Sequence, residues 1–460
     1  MSAPDAQHTL LFAEQALLDT GWARDVLIAI GADGRIARVE AGAAPAGARH
    51  AILLPAPANL HSHAFQRAMA GLTEKRGPDP RDTFWTWRQL MFCFLDRLTP
   101  DDVEAIAAFV QMQMLEAGYA CNVEFHYLHH QPGGVPYDDL AEMSARIAAA
   151  AQTSGIGLTL LPVLYQQGGC DGRPLGPGQI RFGNDLDRFA RLVEGARKAL
   201  SALPADTRLG LAPHSLRAVT PEALSALPGL DDGPVHMHLA EQVGEVEEVL
   251  AHHGARPVRH LLATMPVDQR WCLIHCTQME PDETRALAAT GAVAGLCPIT
   301  ESSLGDGIFD GVRWLGAGGR FGIGSDSNIR ISLSEELRTL EYTQRLRDRS
   351  RAALARPDAS TGRVLFEGAL RGGAQAAGRN SGTIAPGALA DLTALDGEAV
   401  DLAGKGGDTL LDAFIFAGDD HMVRDVWSAG RHLVQAGQHV ARAAITRRYG
   451  QTMRRLGDAI

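Results

Sequence analysis

The chain has 460 residues, 45% of them hydrophobic and 21% charged, with a formal net charge of −11. This is the composition of a globular protein with a large core, which needs neither a metal nor disulfides merely to fold. The acidic balance argues against a general nucleic-acid binder, which would carry a basic face, and no apolar run is long enough to read as a membrane-spanning helix.

In chain order, residues 1–55 are expected to be β-rich: LLFAEQALLD, DVLIAIGADGRIARVEAG and ARHAILLPA are short alternating or apolar runs, with a turn at Asp33-Gly34. The opening stretch lacks a basic start before an apolar run, so no secretory signal is expected. Over 56–380 short apolar runs alternate with helical patterns, which predicts parallel β/α units. Eight runs read as strands: LLPAPANLHSH, NVEFHY, GLTLLPVLY, RLGLAPHS, PVHMHLAE, WCLIHCTQ, AVAGLCPITE and FGIGSDS. Thr99-Pro100-Asp101-Asp102 and Thr220-Pro221-Glu222 read as helix starts, and Gly291 as a helix stop. Over 381–460 the texture turns β again, with SGTIAPGALADLTALDG as strand, Pro-Gly turn, strand and VRDVWSAGRHLVQAGQHV as a hairpin. The predicted fold is α/β: a distorted (β/α)₈ TIM-type barrel at 56–380, carrying a small β-sandwich domain built from 1–55 and 381–460. A doubly wound open sheet competes, but it would gather polar groups at one switch point. Here almost every strand ends in polar residues, as barrel enzymes require.

Those strand ends carry the chemistry. His61 and His63 lie two apart after the first barrel strand, so both rings point to one face and can grip one ion. His238 ends the fifth strand with Glu241 three residues on, a ligand followed by a proton-handling carboxylate. His275 ends the sixth and Asp326 the eighth. Singly, each has a bland reading, a core histidine or a helix cap, and His236 is better read as a hydrogen-bonded core residue. Together they converge on one mouth, and three histidines with one aspartate suit Zn²⁺ with an open position for water; Fe²⁺ would accept the same ligands. Lysines occur only at Lys75, Lys198 and Lys405. None lies in RLGLAPHS, where a carboxylated lysine could bridge two metals, so one metal per subunit is expected. The six cysteines, Cys93, Cys121, Cys170, Cys272, Cys276 and Cys297, form no CxxC pair and read as reduced thiols.

On these residues the sequence resembles the amidohydrolase superfamily in its mononuclear deaminase branch. NLHSHAFQRAMAGLTE and EFHY are similar to the formimidoylglutamate deiminases of histidine degradation. The resemblance implies that His61, His63, His238 and Asp326 hold zinc. It implies that Glu241 shuttles protons, that His275 orients the attacking hydroxide, and that Gln66, Tyr127, His214 and Arg217 contact substrate; Asp326 is expected to be catalytic as well, taking up the water's proton with Glu241. It implies the substrate too: N-formimino-L-glutamate, converted with water to N-formyl-L-glutamate and ammonia by attack of a metal-bound hydroxide on the formimino carbon. Arg217 is the natural partner for a substrate carboxylate. The family also implies a homodimer, and the lack of a secretory signal with scattered reduced cysteines leads to the expectation of a cytoplasmic protein. Three alternatives stand beside this reading: a nucleobase or nucleoside aminohydrolase of the same superfamily, a barrel that has lost its chemistry, and cleavage of the same substrate to glutamate and formamide. Gly71, Gly77, Pro78 and Pro80 punctuate an aromatic-rich segment at 64–90 that reads as a closing loop.

Overall fold

The computed structural model describes residues 8–74, 91, 92 and 94–457; Lys75, Gly77, Pro78, Pro80 and Cys93 lie outside them. The N-terminal segment forms β1 (Thr9–Leu18), β2 (Gly21–Ile30), β3 (Ile36–Glu40) and β4 (Ala48–Pro55). The barrel strands follow as β5 (Ala58–Ser62), β6 (Cys121–His126), β7 (Gly157–Leu164), β8 (Arg208–Leu209) with β9 (Ala212–Pro213), β10 (Val235–Leu239), β11 (Trp271–His275), β12 (Val293–Leu296) and β13 (Arg320–Ile323). The C-terminal segment adds β14 (Leu392–Leu395), β15 (Val423–Ser428), β16 (Arg431–Gln435) and β17 (Gln438–His439).

β5 to β9 pair in parallel, as do β10 to β13. Parallel bridges at Leu211–Val235 and Ser62–Asp326 join the two sheets into a closed barrel. Its strands are buried on both faces, so β7 and β11 read as nearly continuous apolar runs, while Asn122, Glu124 and His236 are polar residues buried within β6 and β10. The helix Thr361–Ala376 closes on β13 so tightly that a Cβ on Gly372 would lie 1.9 Å from the Phe321 carbonyl oxygen. The two ends of the chain meet in one eight-stranded sheet, ordered β17-β16-β15-β14-β4-β1-β2-β3. Leu11, Val26, Ile28, Leu392 and Trp427 pack a separate core against it.

Several boundaries differ from the sequence expectation. LLPAPANLHSH is divided, because Leu53, Leu54 and Pro55 pair with β14 and the barrel begins only at Ala58. Pro55 and Pro57 cannot donate to a ladder, so the chain changes sheet there. Strand four is two short pieces, and CPITE turns helical at Pro298. In SGTIAPGALADLTALDG only Leu392–Leu395 is a strand. The C-terminal segment also contains two helices, Asp408–Phe416 and Arg442–Gly457, the second stacking Tyr449 on Phe109 at 3.9 Å. Thr99 caps its helix in a reciprocal capping box with Asp102, as its spacing predicts.

Candidate active site

The site begins with two strands locked together at their ends. His61 lies in β5 and His63 just beyond it. The His63 N–H donates to the Asp326 carbonyl and the Asp326 N–H to the His61 carbonyl, each at 2.9 Å. Beneath them, the Asn59 side chain donates to Ser325 Oγ at 2.7 Å, Ser325 Oγ to Asn328 Oδ1 at 2.6 Å, and Asn328 Nδ2 to Ser62 Oγ at 3.2 Å. Gly324 is required here: a Cβ would sit 2.7 Å from that of His61. This fully buried network fixes both backbones before any side chain is considered.

His61, His63, His238 and Asp326 each present a ligand atom within 4.8 Å of the others, and all four are buried. His63 Nδ1 donates to the Phe125 carbonyl at 2.9 Å and His238 Nδ1 to the His214 carbonyl at 3.1 Å. Both Nε2 lone pairs therefore face inward, the arrangement metal-binding imidazoles use. Burial lowers the affinity of all three rings for a proton, to about 3 for His61. Burial alone would raise the Asp326 carboxyl, but His61, His63 and His275 hold it below the usual carboxylate range. Three neutral imidazoles and one carboxylate around one point suit a divalent cation.

Glu241 and His275 face the same space. His275 Nε2 lies 3.5 Å from Glu241 Oε1 and 3.8 Å from Asp326 Oδ2. Burial pushes the Glu241 carboxyl up to about 7, with His275 opposing and Asp326 and Glu245 reinforcing the shift. Burial works against a proton on His275, yet Glu241, Glu301 and Asp326 carry it well above the ordinary imidazole range. A carboxyl poised near neutrality beside an imidazole can take and return a proton.

A cavity opens on this cluster. Gln66, Tyr127, His214 and Arg217 all line it, together with Phe182 and Met91. Gln66 Nε2 donates to Tyr127 Oη at 2.7 Å. Arg217 is buried; burial opposes its charge, but Glu245, Tyr165 and Glu241 keep it above its ordinary range. Nine of the ten residues singled out in the sequence thus line one cavity, and His61 lies behind it with Nε2 3.2 Å from that of His238. His236 donates to the Ala376 carbonyl at 2.8 Å, a core residue as expected. Cys121, Cys170, Cys272, Cys276 and Cys297 are free and buried.

The sequence reading passed over three carboxylates. Glu245 accepts the N–H groups of Ala240 at 3.2 Å and Glu241 at 2.9 Å. Glu301 contacts His275 Nδ1 at 3.2 Å. Asp306, pushed up by burial and by Glu241, forms a close group with Glu241 and His275. Glu245 and Asp306 end no predicted strand; Glu301 closes the run AVAGLCPITE but takes no role in the sequence reading, and the structure places it in the helix Pro298–Leu304. Pro298, favoured in the first turn of a helix, is the signal that would have placed Glu301 in a first turn beneath β12.

Residues 52–433 match the Amidohydrolase family. The chain belongs to the amidohydrolase family. Residues 8–51 match the N-terminal domain of formimidoylglutamate deiminase HutF. This amidohydrolase is 50% identical to the formimidoylglutamate deiminase of Pseudomonas aeruginosa over 97% of its length and 99% of that protein's. It is 29% identical to the 8-oxoguanine deaminase of the same organism, over 78% of this chain and 79% of that one. Among solved structures, an amidohydrolase from Brucella melitensis superposes with a TM-score of 0.93 at 49% identity, covering 98% of this chain and 100% of that one. A zinc-bound adenosine deaminase from Xanthomonas campestris shares the fold at a TM-score of 0.81 and 22% identity, over 98% of each chain. Among the described residues, no helix is long and apolar enough to cross a membrane.

Proposed function

We propose that this amidohydrolase converts N-formimino-L-glutamate and water to N-formyl-L-glutamate and ammonia, a step of histidine degradation, with one zinc ion held by His61, His63, His238 and Asp326. The observation that carries this reading is that the metal-suited cluster, Glu241 and Arg217 face one cavity, in a chain that matches a formimidoylglutamate deiminase from end to end.

When bound, the metal serves as a Lewis acid that brings the pKa of water down to about 7. The residues of the chain do the rest. Glu241 accepts a proton from the attacking water, whose oxygen bonds the formimino carbon. Glu241 delivers that proton to the terminal nitrogen, then takes the remaining proton from the added hydroxyl and passes it to the same nitrogen; the bond between carbon and that nitrogen breaks as the formyl C=O forms, and ammonia leaves. His275 Nε2 donates to the oxygen that becomes the formyl carbonyl. Arg217 pairs with a substrate carboxylate, while Gln66, Tyr127 and His214 supply neutral hydrogen bonds that orient the formimino group. We take the enzyme to act as a cytoplasmic homodimer.

The test is ammonia release from N-formimino-L-glutamate by zinc-loaded protein, with N-formylglutamate identified as co-product. Release of formamide and glutamate, or turnover confined to guanine or adenosine derivatives, would overturn the assignment.

A further inference from the structure

Glu301 has no part in the reaction as derived above, yet it is a buried carboxyl group in contact with one of the reacting residues. It lies in the first turn of the helix Pro298–Leu304, and its Oε1 accepts the Cys297 N–H at 2.9 Å. The same oxygen lies 3.2 Å from His275 Nδ1. Neither Glu301 nor Cys297 lines the cavity.

His275 needs such a tether because of its backbone. Its φ is +72° and that of the following Cys276 is +55°. The Cys276 N–H donates to the Ile274 carbonyl at 3.1 Å, which closes a γ-turn of the rare positive-φ kind around His275. A non-glycine residue in that region is strained and persists only where its surroundings over-determine it. The Cys276 N–H also reaches the Leu239 carbonyl at 3.0 Å, so β10 helps to hold the turn. The turn aims the side chain into the barrel mouth, but the ring can still rotate about its own bonds. An oxygen already bound to the Cys297 N–H is a fixed acceptor on one side only.

We propose that Glu301 is a positioning residue for His275: it holds the Nδ1–H and keeps Nε2 turned toward Glu241 and Asp326. It touches no substrate and acts through the ring. The proposal rests on the role given to His275 above, and it adds to that role the group that anchors Nδ1–H and so directs the Nε2–H toward the reacting oxygen.

Two variants and one spectroscopic measurement test it. Glu301→Ala should lower kcat about 10- to 100-fold, with KM and metal content within about twofold of wild type, the scale expected when the partner of a site histidine is lost. Glu301→Gln keeps an oxygen acceptor and should recover most of that loss. A kcat for Glu301→Ala within about twofold of wild type overturns the proposal. So does a loss matched by missing metal, which would make Glu301 merely structural. In the ¹⁵N-histidine-labelled wild-type protein, His275, assigned by its disappearance in His275→Gln, should show a far-downfield proton on Nδ1. A proton on Nε2 with a bare Nδ1 overturns the proposal even where Glu301→Ala fails to fold. The spectrum does not depend on the substrate. If the wild type releases no ammonia from N-formimino-L-glutamate, the functional reading fails, while the Nδ1 proton still decides the positioning role.

Discussion

Replacing Arg217 by Met tests the substrate assignment most directly. Arg217 is only 6% exposed and lies among Glu245, Glu241 and Tyr165 on the cavity wall. A charge pair at about 4 Å in a protein environment of effective dielectric near 20 is worth about 4 kcal/mol, and truncating one member of a buried pair costs roughly 2–5 kcal/mol. Taking about 2–4 kcal/mol, at about 1.4 kcal/mol per decade, kcat/KM for N-formimino-L-glutamate should fall roughly 30- to 700-fold. Most of the loss should appear in KM, because the carboxylate is held equally in ground and transition states. Ammonia release and metal analysis on the same preparations give the answer. One competing explanation is built into the structure: the variant also strands the buried Glu245 without its cation. The cycle with Glu245→Gln separates the two effects. If Arg217 serves only to neutralise Glu245, the double variant regains its KM; if Arg217 holds substrate, KM stays high. An Arg217→Met enzyme with unchanged KM would refute the substrate geometry outright.

Glu241→Gln should retain metal and KM while kcat falls about 10²- to 10⁴-fold, the usual contribution of a positioned acid–base group. Because burial places the Glu241 carboxyl at about 7, the base form should appear as a limb of kcat/KM rising with pH through that region, and Glu241→Gln should abolish the limb. Asp326→Asn or His238→Ala should lose the stoichiometric metal seen by elemental analysis, whereas chelator-treated wild type should regain activity with added zinc; metal retained at wild-type levels in both variants would remove these residues from the ligand set. Glu124, which accepts the Ala64 N–H at 2.7 Å, is raised by burial from 4.5 to about 7. Its folded-state pKa is the higher one, so its contribution is full below the unfolded value and is lost as pH rises through about 7. The shift of ~2.5 units corresponds to about 3 kcal/mol. Metal-free wild type should therefore lose stability relative to Glu124→Gln between about pH 5 and pH 8, and parallel denaturation curves would show the carboxyl to be unperturbed.

The barrel and its site were legible for the same physical reason. Barrel strands are buried on both faces, so their sequences stay apolar until the chain reaches the mouth, and a His, Glu or Asp interrupting such a run has few structural uses. His61, His63, His238, Glu241, His275 and Asp326 all announce themselves in this way. Glu245 and Asp306 do not, because each follows its strand in a helix or loop where a carboxylate is unremarkable by composition, and Glu301 closes a predicted strand that in fact turns helical at Pro298. What distinguishes them is a partner: two backbone N–H groups for Glu245, a ring nitrogen for Glu301, and a neighbouring carboxyl for Asp306. The helices of the C-terminal segment were hidden differently. Arg442–Gly457 buries only Ile445, Thr452 and Leu456, and it is anchored by Tyr449 stacking and by Arg448 and Arg455 reaching Glu104 and Asp102, contacts that local sequence cannot reveal.

The strained residues of the mouth bear on how the site is assembled. Ala240, His275 and Asp326 have φ of +52°, +72° and +46°, and each sits at or beside a group assigned to the reaction. Positions of this kind cost about 1–3 kcal/mol each, so something independent of the metal must hold them. The structure supplies it: Glu245 binds the backbone at Ala240, the Cys276 N–H closes the turn at His275, and the reciprocal His61–Asp326 and His63–Asp326 backbone bonds fix Asp326. The ligand directions are thus set by the protein's own hydrogen bonds. A divalent ion entering three neutral imidazoles and one carboxylate would leave one net positive charge at the floor of the cavity. Arg217 adds a guanidinium at its wall, beside Glu245 and Glu241. A substrate carboxylate can pair with that guanidinium, whereas an uncharged purine would gain little from it.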